Sequence, residues 1–106
     1  MQRKYKTKLK RNDQVMVIAG KDKGKTGRIL RIDLKNGRAV VEGVNMVKKA
    51  QRRRSRQDQG GIIELEAAIE LSNLMAVTRD GRPSRIGLEF ENGRKVRVLK
   101  KSGEQI

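Results

Sequence analysis

The sequence contains no cysteine, no histidine and no tryptophan, and its only aromatic residues are Tyr5 and Phe90. Without thiols or imidazoles, disulfides, cysteine nucleophiles, histidine general bases and nearly all zinc chemistry are excluded. Two aromatics are too few for a platform that stacks single-stranded bases or for an aromatic-anchored protein interface. No stretch approaches the roughly 18 apolar residues of a membrane-spanning helix. The basic N-terminus lacks the apolar run of a secretory signal. A cysteine-free chain is compatible with a reducing compartment without proving one, and a cytoplasmic location is the expectation. Nothing in the composition calls for a cofactor, a metal, a small-molecule substrate, a membrane or a second copy of the chain.

What is abundant is positive charge. Lys and Arg number 27 against 12 Asp and Glu in 106 residues, a formal charge of +15. A chain so charged repels itself in isolation, and phosphate is its natural neutralising partner. The charge is clustered. Residues 1–11 hold Arg3, Lys4, Lys6, Lys8, Lys10 and Arg11 with no acid, which predicts a flexible arm ordered by a polyanion. Residues 48–60 hold Lys48, Lys49, Arg52, Arg53, Arg54 and Arg56, with Ala50 their only apolar residue, and predict a long basic loop.

Between these clusters the pattern is that of short strands. Val15 and Val17 alternate with Gln14 and Met16. A second strand covers Arg28–Asp33. Asn36-Gly37 predicts a tight hairpin turn with positive φ at both residues, leading to a third strand at 38–42 extended by Val44–Val47. Ile62–Leu71 alternates with period two and places Glu64, Glu66 and Glu70 on one face. That face is expected to meet a basic neighbour protein or the Arg-rich strand at 94–97. Leu74–Thr78 forms another strand, and Asp80–Pro83 a turn. Ile86, Leu88 and Phe90 point inward, Asn92-Gly93 makes a second hairpin, and Val96 and Val98 close the core. The predicted core is Val15, Val17, Leu30, Ile32, Val40, Ile69, Val77, Ile86, Leu88, Phe90, Val96 and Val98. The fold class is all-β, one strongly bent barrel or sandwich domain over residues 12–106 behind the arm.

Gly20-Lys21-Asp22-Lys23-Gly24-Lys25-Thr26-Gly27 looks at first like a nucleotide-binding loop. That motif needs four residues between its glycines and must open a helix. Here three residues separate Gly20 from Gly24, and a strand follows. The better reading is a strand–loop–strand element presenting Lys21, Lys23, Lys25 and Arg28 to phosphates without reading base edges. Asn45, Arg82 and Arg85 complete the candidate RNA contacts.

Val-Met-Val-Ile-Ala-Gly-Lys-Asp-Lys-Gly-Lys-Thr-Gly-Arg-Ile at 15–29 closely resembles the KOW motif. Val-Glu-Gly-Val-Asn-Met-Val-Lys-Lys at 41–49 resembles the segment that follows it in the family of the bacterial large-subunit ribosomal protein numbered twenty-four. Gly-Gly-Ile-Ile-Glu at 60–64, Ser-Asn-Leu-Met at 72–75 and Gly-Arg-Lys-Val-Arg-Val-Leu-Lys-Lys-Ser-Gly-Glu at 93–104 are similar to later signatures, in the same order. The chain departs from the family in its longer arm and in Asn12, where a glycine commonly precedes Asp13.

The resemblance implies an SH3-like barrel with additional β-hairpins and extended basic loops. It implies binding to the 5′-proximal domain of the large ribosomal RNA early in subunit assembly. It also implies a place beside neighbouring ribosomal proteins around the peptide exit tunnel, with the loop at 48–60 near the tunnel mouth. Three other functions fit less well. A KOW-type regulator would need a second domain and an apolar patch. An architectural DNA binder would need an intercalating wedge. A carboxylate-dependent nuclease would need Asp22, Asp33, Asp58 and Asp80 to converge, whereas they are scattered.

Overall fold

The computed structural model describes residues 6–51 and 61–106, in which every regular element but one is a strand. The strands are β1 (Gln14–Val17), β2 (Thr26–Asp33), β3 (Arg38–Val41), β4 (Met46–Gln51), β5 (Gly61–Glu66), β6 (Ile69–Glu70), β7 (Leu74–Val77), β8 (Pro83–Ser84), β9 (Ile86–Glu91) and β10 (Arg94–Leu99), with a 3₁₀ turn at Leu71–Asn73. One six-stranded sheet runs β6-β3-β2-β1-β7-β8, and two separate two-stranded ribbons are formed by β4-β5 and β9-β10. All pairings are antiparallel. The chain is thus all-β, as expected.

Alternation explains the centre of the sheet. Val15 lies opposite Ala76 and Val17 opposite Leu74, so β1 and β7 turn the same face inward, and all four side chains are buried. β2 departs from simple alternation. Its register passes from Ile29↔Val41 to Arg31↔Val40, so Leu30 is the extra residue of a bulge. Ile29 therefore fills the core in place of Leu30, which is only half-buried. Val41, Val44 and Leu99 complete the deepest part of the core. Ile32 packs partly against it, and Val77 and Val96 are half-buried.

Two predicted core residues are on the surface. Leu88 is 43% and Phe90 76% exposed. The alternation of β9 is real, but the ribbon leaves the body after Ile86, so its inward face loses anything to pack on. Asn92 (φ 52) and Gly93 (φ 79) form its turn with positive φ at both positions. At Asn36-Gly37 only Gly37 has positive φ. There the Asp33 carboxylate accepts from Lys35 N, Asn36 N and Asn36 Nδ2, building a wider turn than the predicted two-residue one.

The segment predicted as a loop from Lys48 begins as a strand. β4 and β5 pair from Met46↔Glu66 to Gln51↔Gly61, with Lys48 opposite Glu64 and Lys49 opposite Ile63. The predicted strand at 62–71 is broken at Ala67-Ala68, where Asn45 Nδ2 donates to both carbonyls. Its acids then separate. Glu64 faces Lys48 across the ribbon, Glu66 accepts from Gly43 N, and Glu70 lies opposite Arg38. The strand at 94–97 pairs instead with β9.

Residues 6–11 lie against the body rather than standing free. Leu9 is buried, Lys8 Nζ donates to the Ile86 carbonyl at 3.3 Å, and Arg97 donates to the Lys8 carbonyl at 3.0 Å. One apolar residue among the charges is enough to dock the segment. The polar C-terminus also folds back, since Gln105 bridges Val98 and Leu99 N donates to the Glu104 carbonyl.

Candidate nucleic-acid interface

The Gly-Lys loop joins β1 to β2 as a closed turn. Gly24 N donates to the Val17 carbonyl at 2.8 Å and Val17 N to the Lys25 carbonyl at 2.9 Å. Gly20 and Gly24 have φ of +94° and +93°, which favours glycine at both bends. β2 starts within the motif, at Thr26, so the loop opens a strand and not a helix.

Asp22 points inward from this loop. Its Oδ2 accepts from Asn45 N at 2.9 Å and its Oδ1 meets Lys25 Nζ at 3.0 Å. The hydrogen bond from Lys25 is the main reason its carboxyl is held below the usual aspartate range. One carboxylate thereby ties the loop to the root of the β4-β5 ribbon. Asn45 sits in the left-handed region (φ 55) with its amide spent on the backbone of residues 67 and 68. Its Nδ2 and backbone N hold this junction.

The predicted cations divide into two classes. Lys25 is paired with Asp22, Arg28 with Glu42 at 3.0 Å, and Arg82 with Asp80 at 2.9 Å. Lys6, Lys8, Lys10, Arg11, Lys21, Lys23, Lys49 and Arg85 are exposed and have no acidic side chain within salt-bridge distance among the described residues. Lys48 is exposed opposite Glu64. Arg3, Lys4, Arg52, Arg53, Arg54 and Arg56 lie outside the described residues.

The fold brings some of the free cations together. Lys6, Lys8 and Arg85 line one groove beside Leu74, Met75 and Ser84, and among the described residues no acidic one lines it. The backbone of Lys100 and Lys101 runs beside this groove, where Lys100 N donates to the Arg85 carbonyl and Lys101 N to Ser84 Oγ, and Lys100 lines an adjoining pocket with Lys8. These two lysines were missed by the sequence reading. Their signal was a basic pair just after the last apolar strand residue, but only the return of the chain onto β8 places them beside Arg85. Lys21 and Lys23 form a second cluster at the Gly-Lys loop. The β4-β5 ribbon presents Lys48 and Lys49.

Asp22, Asp33 and Asp80 do not converge on a metal, and Asp58 lies outside the described residues. Among the described residues no three acids form a cluster that would hold one. Asp33 is held below its ordinary range chiefly by the Asn36 side chain, and Asp80 by the Thr78 hydroxyl. Asp22, Asp33 and Asp80 each hold a separate loop or turn.

Residues 44–106 match the family model described as large ribosomal subunit protein uL24, C-terminal domain, and residues 11–42 match the KOW motif, which is consistent with an SH3-like barrel. The chain is 52% identical over 97 residues to large ribosomal subunit protein uL24 of Treponema pallidum (strain Nichols), covering 92% of this chain and 93% of that one. It is 45% identical over 101 residues to uL24 of Treponema denticola, covering 95% and 97%. With uL24 of Staphylococcus haemolyticus the identity is 48% over 99 residues, covering 92% and 94%.

Proposed function

Because the chain belongs to the uL24 family of large ribosomal subunit proteins, a family of ribosomal proteins and not of enzymes, we propose that it is an RNA-binding scaffold of the large subunit on the cytoplasmic ribosome. It binds the 5′-proximal domain of the large ribosomal RNA, enters early in assembly, and sits with the β4-β5 ribbon toward neighbouring proteins at the peptide exit. The observation that carries RNA as the ligand is the separation of its charges. Asp22, Asp33, Asp80 and Asp13 are engaged by partners within the chain, Asn45, Asn36, Thr78 and Arg97 respectively, while Lys6, Lys8, Lys21, Lys23 and Arg85 are exposed without an acidic partner among the described residues.

The mechanism is electrostatic and geometric. Folded RNA brings phosphates close together, and their repulsion opposes compaction. Lysines at the Gly-Lys loop and in the Lys6-Lys8-Arg85 groove neutralise them and release counterions. The six-stranded sheet fixes the distance between these clusters, so only an RNA surface of matching shape satisfies both. The arm and the β4-β5 ribbon extend the reach.

The test is retention of labelled RNA fragments by the purified chain at rising salt. A fragment holding the 5′-proximal domain should outcompete an equal length from elsewhere in the same RNA. Equal retention of both would remove the specific reading and leave only a general affinity for polyanions.

A further inference from the structure

We propose that Phe90 is a stacking site for one unpaired RNA base, with Lys95 taking the adjacent phosphate. The site rests on RNA being the ligand, as above, and adds a contact that charge alone does not provide.

The β9-β10 ribbon has two unlike faces. Phe90 lies opposite Lys95 and Leu88 opposite Arg97, so these four share one side. Glu89 and Glu91 fall on the other side, opposite Val96 and Arg94. Both acids of the ribbon are thus kept off the Phe90 face. At the root of this face Arg97 is paired with Asp13 and also holds the Lys8 carbonyl, so the cation left free beside Phe90 is Lys95.

Phe90 itself is 76% exposed near the tip, with Leu88 at 43% behind it. A phenylalanine left in water contributes nothing to the core, and its ring offers a flat apolar face. Directly opposite side chains in an antiparallel pair have Cβ atoms about 5 Å apart. That is close enough for one nucleotide to place its base on the ring and its phosphate on the ammonium. A sheet-borne aromatic beside a cation is a common way for proteins to hold an unpaired base. A basic or purely apolar protein partner does not match a ring bordered by Lys95 and by a chain of charge +15. One ring holds one base, which agrees with the sequence being too poor in aromatics for an extended platform.

The chain has no tryptophan, so Phe90→Trp introduces a single indole at the site. The probes are purified large-subunit RNA and heparin, a polyanion without bases, at matched salt. Stacking predicts that indole emission is quenched in step with RNA binding and is unchanged by saturating heparin. A second variant, Phe90→Leu, keeps apolar bulk without the π face. It should fold normally and bind the RNA about 5- to 10-fold more weakly, with the salt slope unchanged. Full retention of RNA with unaltered emission, or wild-type affinity of Phe90→Leu, overturns the stacking site and leaves the scaffold reading intact. Absence of RNA retention by the unmodified chain overturns both. Quenching that rises with protein concentration and without RNA assigns the face to a second copy and overturns the proposal.

Discussion

Asp13 and Arg97, 84 residues apart, form a two-pronged ion pair: Nη1 to Oδ2 at 2.5 Å and Nη2 to Oδ1 at 3.1 Å. Their side chains are only 13% and 15% exposed. The same carboxylate accepts from Lys10 N at 2.7 Å. One acid therefore fixes the turn that opens β1, the basic segment before it and the β9-β10 ribbon. Asp13→Asn should lower the unfolding free energy by about 1–3 kcal/mol, because Arg97 is left half-buried without its counter-charge. Urea denaturation checks this, and a double-mutant cycle with Arg97→Ala should show strong coupling. Additive losses would mean that the two residues act separately.

Gly27 is required for lack of space, not for its backbone angle. A Cβ there would lie 2.5 Å from the Glu42 carbonyl oxygen and 2.8 Å from a Val41 methyl. Gly27→Ala must therefore push β3 away from β2, which carries the buried Ile29–Val41 pair. Overpacking of this kind costs about 1–3 kcal/mol. A thermal melt should show a clear drop, and an unchanged melting temperature would contradict the close approach.

Acid should loosen the turns before the core. Asp22, Asp33 and Asp80 are all held below the ordinary value of 3.8, by Lys25, Asn36 and Thr78 respectively. A depressed carboxyl binds its proton less readily in the folded chain than in the unfolded one. Its contribution is complete above pH 3.8 and is lost as the pH falls through the lower folded values. The urea midpoint should therefore hold steady from neutrality to about pH 5 and fall below pH 4. In Asp22→Asn the fall should be shallower, as read by denaturation at each pH.

Pairing within the protein ranks the lysines of the Gly-Lys loop. Lys21 and Lys23 have no acidic partner among the described residues, whereas Lys25 is bound to Asp22. Replacing Lys21 and Lys23 with Gln should leave stability unchanged. It should reduce the salt slope of RNA binding by about 0.7–0.9 per lost phosphate contact. Lys25→Gln should shift the slope less and stability more. The opposite ranking would place the interface elsewhere.

Much of this was legible in the residues. The alternation at 14–17 and the Asn92-Gly93 turn were read correctly because both are local signals. The core at Ile29 was not, since a bulge depends on the partner strand and leaves no mark on β2 alone. Phe90 was assigned to the core because alternation tells which residues share a face, not whether anything covers it. The docking of Leu9 and the grouping of Arg85 with Lys100 and Lys101 were hidden for a related reason. Each depends on where a distant segment returns. Asn45 also braces the junction of the β4-β5 ribbon, a role that its left-handed backbone makes possible and that no local pattern signals.

The most direct measurement is sedimentation of a cell lysate in magnesium, tracking this chain through a high-salt wash. The scaffold account predicts that it travels with large subunits, resists moderate salt, and crosslinks to their RNA through the Gly-Lys loop and the Lys6-Lys8-Arg85 groove. Recovery at the top of the gradient, or with RNA polymerase, would contradict it.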